Sequence, residues 1–258
     1  MTSSERESGS VRLTKHGRVA RITLNRPNQH NALEVEDTER FRACLEEIDD
    51  DDAIRVLIVT GTGQRTFCAG ASLKQLESGD MSGTIFEKLT DRLAEVRVPT
   101  ICGLNGSAYG GGTEIALCCD FRIGVRGSRM SVPAARLGLC YPLGGLRRYV
   151  ERLGLSTAKR ILVANEELDA DEMLRVGFLD RLVEREELEG VLDEYADRIV
   201  GLAPLAAQYM KRILTRIAAG TVEVGEAQAL IDRCATSADF REGLRAQRVG
   251  EAPRFEGT

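Results

Sequence analysis

The sequence predicts an α/β fold of largely parallel, buried strands, completed by a helical C-terminal region. Three observations lead there. Short β-branched apolar runs alternate with helical patterns through the first half of the chain. After about Leu143 the apolar spacing becomes helical almost throughout. At 258 residues and 43% hydrophobic composition, the chain has ample material for a large core.

Residues 11–24 read as two strands with Lys15-His16-Gly17 as the turn. Pro27 ends the second strand and opens a loop through Asn31. Over residues 34–50, Phe41, Leu45 and Ile48 recur at helical spacing between charged residues, which predicts a surface helix with one buried stripe. Residues 54–60 form a β-branched run ended by Gly-Thr-Gly and fit a buried strand. A second helix over 82–97 is stopped by Pro99. Residues 100–104 read as a strand, Gly110-Gly111-Gly112 lead into a helix through Cys118, and 121–125 return to strand. The later part is helical apart from a strand at 178–183, with several amphipathic stretches over 188–247. No fixed-period repeat or low-complexity linker interrupts it. The expected organisation is a flexible tail over 1–10, an α/β core over 11–200 and a helical oligomerisation region over 201–258.

With 35 basic and 40 acidic residues, the net charge of −5 argues against a nucleic-acid partner. The seven cysteines are odd in number, form no C-x-x-C pair and sit mostly in apolar runs. They read as buried thiols of a reducing compartment, with no metal site. The polar N-terminal segment lacks the apolar core of a signal peptide. No stretch approaches 18 uninterrupted apolar residues. A cytoplasmic address and no membrane partner are expected.

The segment with most chemical content is Asn105-Gly106-Ser107-Ala108-Tyr109-Gly110-Gly111-Gly112-Thr113-Glu114. Glycines ahead of a helix leave its unpaired N–H groups unshielded, at the positive end of the helix dipole. Such an end suits an oxyanion, and Glu114 places a carboxylate beside it. Alone, the segment fits better a tight turn followed by a dipole-favoured glutamate. A second segment, Thr66-Phe67-Cys68-Ala69-Gly70-Ala71-Ser72-Leu73-Lys74, offers small residues where backbone can approach a ligand.

Together with Ile22-Thr23-Leu24-Asn25-Arg26-Pro27 and Asn31-Ala32-Leu33, these segments resemble the enoyl-CoA hydratase/isomerase (crotonase-like) family in order and spacing. The likeness runs on through Asp120 and Gly144-Gly145-Leu146 into the tail. The resemblance implies a spiral of ββα units with a C-terminal helical region, and an acyl-CoA as substrate with no separate cofactor. It implies an oxyanion hole made by the backbone N–H groups of Ala71 and Gly111, with Glu114 as acid/base. Ala32, Leu33, Ala69, Ser72, Leu73 and Tyr141 would border the coenzyme A ester. A homotrimer or dimer of trimers is the implied assembly.

The chain departs from that pattern at one position of consequence. Hydratases of the family use two glutamates, and where the second is expected, in Val132-Pro133-Ala134, stands Ala134. A methyl group exchanges no proton, and loss of a general acid or base costs about 10²–10⁴ in rate. Tyr141, shortly after, resembles a tyrosine of acyl-CoA decarboxylases in the same superfamily, but Ala71 matches a histidine of that type. Gln247 and Gly250 replace the usual aromatic and lysine of the tail, leaving Arg26, Lys211 and Arg212 as candidates for the coenzyme A phosphates.

A Ser-His-Asp hydrolase lacks support: there is no G-x-S-x-G elbow, and only His16 and His30 are available as bases. Gly61-Thr62-Gly63 lacks the third glycine of a dinucleotide fingerprint. The rival from another class is a non-catalytic acyl-CoA-binding protein. Against it stands Glu114, since an unused carboxylate beside a pocket costs desolvation. The order of reactions is hydration first, isomerisation second, decarboxylation third.

Overall fold

The computed structural model describes residues 9–258, so the tail expected over 1–10 lies almost wholly outside the described residues. A six-stranded sheet runs in the order β1-β2-β3-β5-β7-β10: Val11–His16, Val19–Leu24, Val56–Gly61, Thr100–Leu104, Phe121–Val125 and Arg181–Val183. Only β1 and β2 pair antiparallel, as the hairpin predicts; the remaining neighbours are parallel. A four-stranded sheet holds β4 (Thr66–Cys68), β6 (Ser107–Tyr109), β8 (Arg129–Ser131) and β9 (Leu168–Asp169).

The chain spirals between the two sheets. β3, β5 and β7 lie in the large sheet, and each is followed by a short strand in the small one and then by helix. The helices interleaved in this part are α1 (Val35–Asp49), α2 (Leu73–Ser78), α3 (Gly83–Ala94), α4 (Gly111–Cys118) and α5 (Leu143–Leu162). This is the ββα repetition that the resemblance implies. The sequence shows no signal for the small strands, which are two or three residues long and too short for a period of two to register.

The large sheet is covered on both faces, which is why its strands read as continuous apolar runs. In β3, Leu57 and Val59 enter the main core with Phe41, Leu45 and Leu104. Val56 and Ile58 face the other way, toward Leu188, Leu192 and Ala196 of α7 (Leu188–Val200). After α6 (Ala170–Arg175) and α7 come α8 (Pro204–Ala218), α9 (Val224–Thr236) and α10 (Ala238–Val249). These last helices are tied to the core by Lys211, whose Nζ donates to the Val98 carbonyl at 2.8 Å and pairs with Asp120 at 2.9 Å.

Candidate active site

The two segments singled out in the sequence meet in space. Asn31, 1% exposed, donates from Nδ2 to the carbonyls of Thr66 and Phe67, pinning the chain just ahead of the second segment. Leu33 then forms a parallel bridge with Ala71: its N–H donates to the Gly70 carbonyl, and its carbonyl accepts from Ser72 N–H, each at 2.8 Å. In that pattern the flanking residues bond to Leu33, so Ala71's own N–H points to the opposite side. Gly70, at φ +83°, lies against the first turn of α4, where an added Cβ would fall 2.5 Å from the Gly111 nitrogen. Backbone approaches backbone here because neither residue has a side chain. The N–H groups of Ala71 and Gly111 are thus brought together, and neither has an acceptor among the described residues. Two N–H groups without acceptors, one at a helix N-terminus, leave hydrogen-bonding capacity free for an anionic oxygen.

Glu114 follows in the first turn of α4 and is 2% exposed. Its partner is Arg148 on α5, whose Nη1 donates to Glu114 Oε1 at 2.8 Å and to Thr90 Oγ1 at 3.1 Å. The other arm of the guanidinium engages Asp91 of α3. Burial pushes the Glu114 carboxyl above its ordinary range, and the Arg148 cation pulls the opposite way. The result is a buried carboxylate whose proton affinity is raised by burial and whose orientation is held by Arg148. Sequence reasoning missed Arg148. It lies in a charge-rich helical stretch with Arg147 and Arg152, and the one available signal was that a buried Glu114 needs a cation.

Tyr141 is half-buried on the same side. A Cβ at Gly145 would lie 2.8 Å from its ring and 3.1 Å from the Glu114 carboxyl carbon, so the two side chains flank that glycine. Burial, foremost, keeps the Tyr141 hydroxyl protonated well above the usual phenol range. Ala134 is buried at the start of a 3-10 turn, Ala135–Leu137.

Of the residues expected to border the ester, Leu33 has its side chain 2% exposed in the core, and its main-chain N–H and carbonyl bond Gly70 and Ser72 on either side of Ala71. Ala32, Ala69 and Ser72 are half-buried, and Leu73 is 66% exposed, leaving surface along this strip. The three basic candidates for phosphate binding are each committed to carboxylates: Arg26 to Glu34 and Asp37, Lys211 to Asp120, and Arg212 to Glu226. His30 is held against Thr66 Oγ1 at 2.9 Å.

The family model described as enoyl-CoA hydratase/isomerase matches residues 14–257. The chain is 34% identical to the short-chain-enoyl-CoA hydratase of Clostridium acetobutylicum, over 81% of this chain and 82% of that protein. It is 32% identical to the crotonyl-CoA hydratase of Syntrophomonas wolfei, over 78% and 80% respectively. Among solved structures, an enoyl-CoA hydratase/carnithine racemase from Magnetospirillum magneticum superposes with a TM-score of 0.91 at 27% identity, covering 97% of this chain and 96% of that one. With the match spanning nearly all of its length, this chain belongs to the enoyl-CoA hydratase/isomerase family and is an acyl-CoA-handling enzyme of that family.

Proposed function

We propose that the protein hydrates a short trans-2-enoyl-CoA, using Glu114 as its single acid/base and the Ala71 and Gly111 N–H groups as the oxyanion hole. The observation that supports this reading is the close approach of Gly70 to Gly111, at the start of a helix whose first turn carries the buried Glu114. The hydratase names of the two relatives point the same way.

The thioester oxygen accepts from both N–H groups, so that electron density leaving the double bond is stabilised there as an enolate. Glu114 takes a proton from water as the water oxygen bonds to C3. The protonated Glu114 then returns that proton to C2, the enolate collapses to the thioester, and the carboxylate is restored. One water is added and one carboxyl serves twice. Arg148 orients that carboxyl throughout, and Tyr141 walls the site beside it. The proposed assembly is a trimer or a dimer of trimers, with the exposed apolar residues of the C-terminal helices at its contacts.

Ala134 favours a second reading, isomerisation of a 3-enoyl-CoA, in which one carboxylate moves a proton from C2 to C4. Assay of the purified enzyme on crotonyl-CoA and on a 3-enoyl-CoA separates the two. Hydration is expected to exceed isomerisation; the reverse order overturns the first reading. If a missing carboxylate limits the rate, Ala134→Glu raises hydration by about 10-fold or more.

A further inference from the structure

We propose that a buried hydroxyl chain running from Tyr149 through Thr113 orients the Gly111 N–H, making Thr113 and Tyr149 positioning residues for the reaction. This deepens the functional reading above and rests on its assignment of the Gly111 N–H as a donor to the thioester oxygen.

Thr113 Oγ1 lies 2.7 Å from the Gly110 carbonyl, which also accepts from the Thr113 N–H at 3.1 Å. A carbonyl can only accept, so the first of these bonds uses the single proton of the threonine hydroxyl. Thr113 Oγ1 also meets the Tyr149 phenol. With its own proton committed, the threonine oxygen is the acceptor there and the phenol donates. The direction is therefore fixed: Tyr149 O–H to Thr113 Oγ1, and Thr113 O–H to the Gly110 carbonyl. Both side chains are 0% exposed, so no water competes and bonds in series polarise one another. Burial holds the Tyr149 phenol far above its ordinary range, and it remains a donor throughout the working pH of an enzyme. The ring of Tyr141 packs edge-on against Tyr149, with centroids 6.0 Å apart, and helps to hold it.

The acceptor at the end of the chain matters because of what shares its peptide plane. In a trans peptide, the Gly110 carbonyl and the Gly111 N–H are antiparallel. Fixing one fixes the other. This peptide sits between two glycines, the residues that restrain their dihedrals least. Gly110 adopts φ +50° and ψ −124°, a conformation open essentially to glycine alone. Rotation of this peptide about its flanking bonds would carry the N–H away from its neighbour at Ala71. A latch on the carbonyl side, out of the way of substrate, prevents that.

The test uses the full-length enzyme, with crotonyl-CoA for turnover and saturated butyryl-CoA as an unreactive probe. The infrared carbonyl frequency of the bound butyryl thioester reads its polarisation by the two N–H groups. In the wild type it is expected below the value in water. Thr113→Val keeps the shape and removes the hydroxyl. Its bound carbonyl should move back toward the free value, with kcat down about 10-fold and KM little changed, a fraction of the ~10²–10³ lost when such a donor is removed outright. Tyr149→Phe should move both readouts in the same direction by less, and Thr113→Ser should restore them. A wild-type frequency retained in Thr113→Val overturns the proposal. If Thr113→Val does not fold, a Tyr149→Phe enzyme with wild-type frequency and kcat overturns it equally. A wild-type complex whose carbonyl already absorbs at the free value removes the oxyanion assignment itself, and with it this proposal.

Discussion

Glu114 and Arg148 form the buried ion pair that the proposed mechanism uses. A carboxylate buried to 2% exposure is costly unless matched by a cation, and Arg148 supplies one at 2.8 Å. Burial raises the pKa of Glu114 and Arg148 restrains the rise. A base must be ionised, so under the proposed mechanism the acid limb of kcat/KM reports this group. Arg148→Met removes the restraint, and the acid limb is expected to move to higher pH; a limb that stays in place or moves down dissociates Arg148 from the base. The same shift carries a stability sign. Because the folded pKa lies above the unfolded one, the native state binds more protons in the window between them, and stability falls as pH rises through it. Glu114→Gln should abolish that slope in chemical denaturation between about pH 4 and the folded pKa. Persistence of the slope would assign it to another carboxyl.

At the scale of elements, the site depends on two loops held against each other without side chains. Gly70 at φ +83° is one point of close approach to α4. Gly70→Ala should destabilise the fold by about 1–3 kcal/mol through backbone strain and, by parting the two N–H groups, lower kcat by about 10²-fold. A variant as active and as stable as wild type would show that the approach is dispensable. What was legible in the sequence follows the same physics. β5 and β7 were read with their observed bounds, because each is a short apolar run in a doubly covered sheet. α4 was legible from the glycines before it and Glu114 within it. The small sheet was not: its strands hold two or three residues, and their pairing is set by the spiral rather than by local pattern. Sequence position does not show that the Leu33 main chain bonds Gly70 and Ser72 while its side chain enters the core. Arg148 and Tyr149 escaped because their roles arise only when α5 packs against α4 and α3.

The whole chain leaves its last helices rich in uncovered apolar surface. Met210, Leu214 and Ile217 of α8, Ile231 of α9 and Leu244 of α10 are each more than half exposed. Apolar patches of this kind mark contact surfaces. Sedimentation is expected to give a trimer or hexamer at micromolar concentration, and Leu214→Glu should shift it toward smaller species; a wild-type monomer would contradict the proposed assembly. Among the described residues, no helix is long and apolar enough to cross a membrane.

In the proposed mechanism Glu114 alone runs the proton transfers of hydration. Its most direct test is the turnover of crotonyl-CoA by Glu114→Gln, with butyryl-CoA affinity measured on the same preparation. The expected result is a kcat lower by about 10²-fold or more with affinity for the thioester retained. Turnover equal to wild type would remove Glu114 from the mechanism and assign the proton to another group.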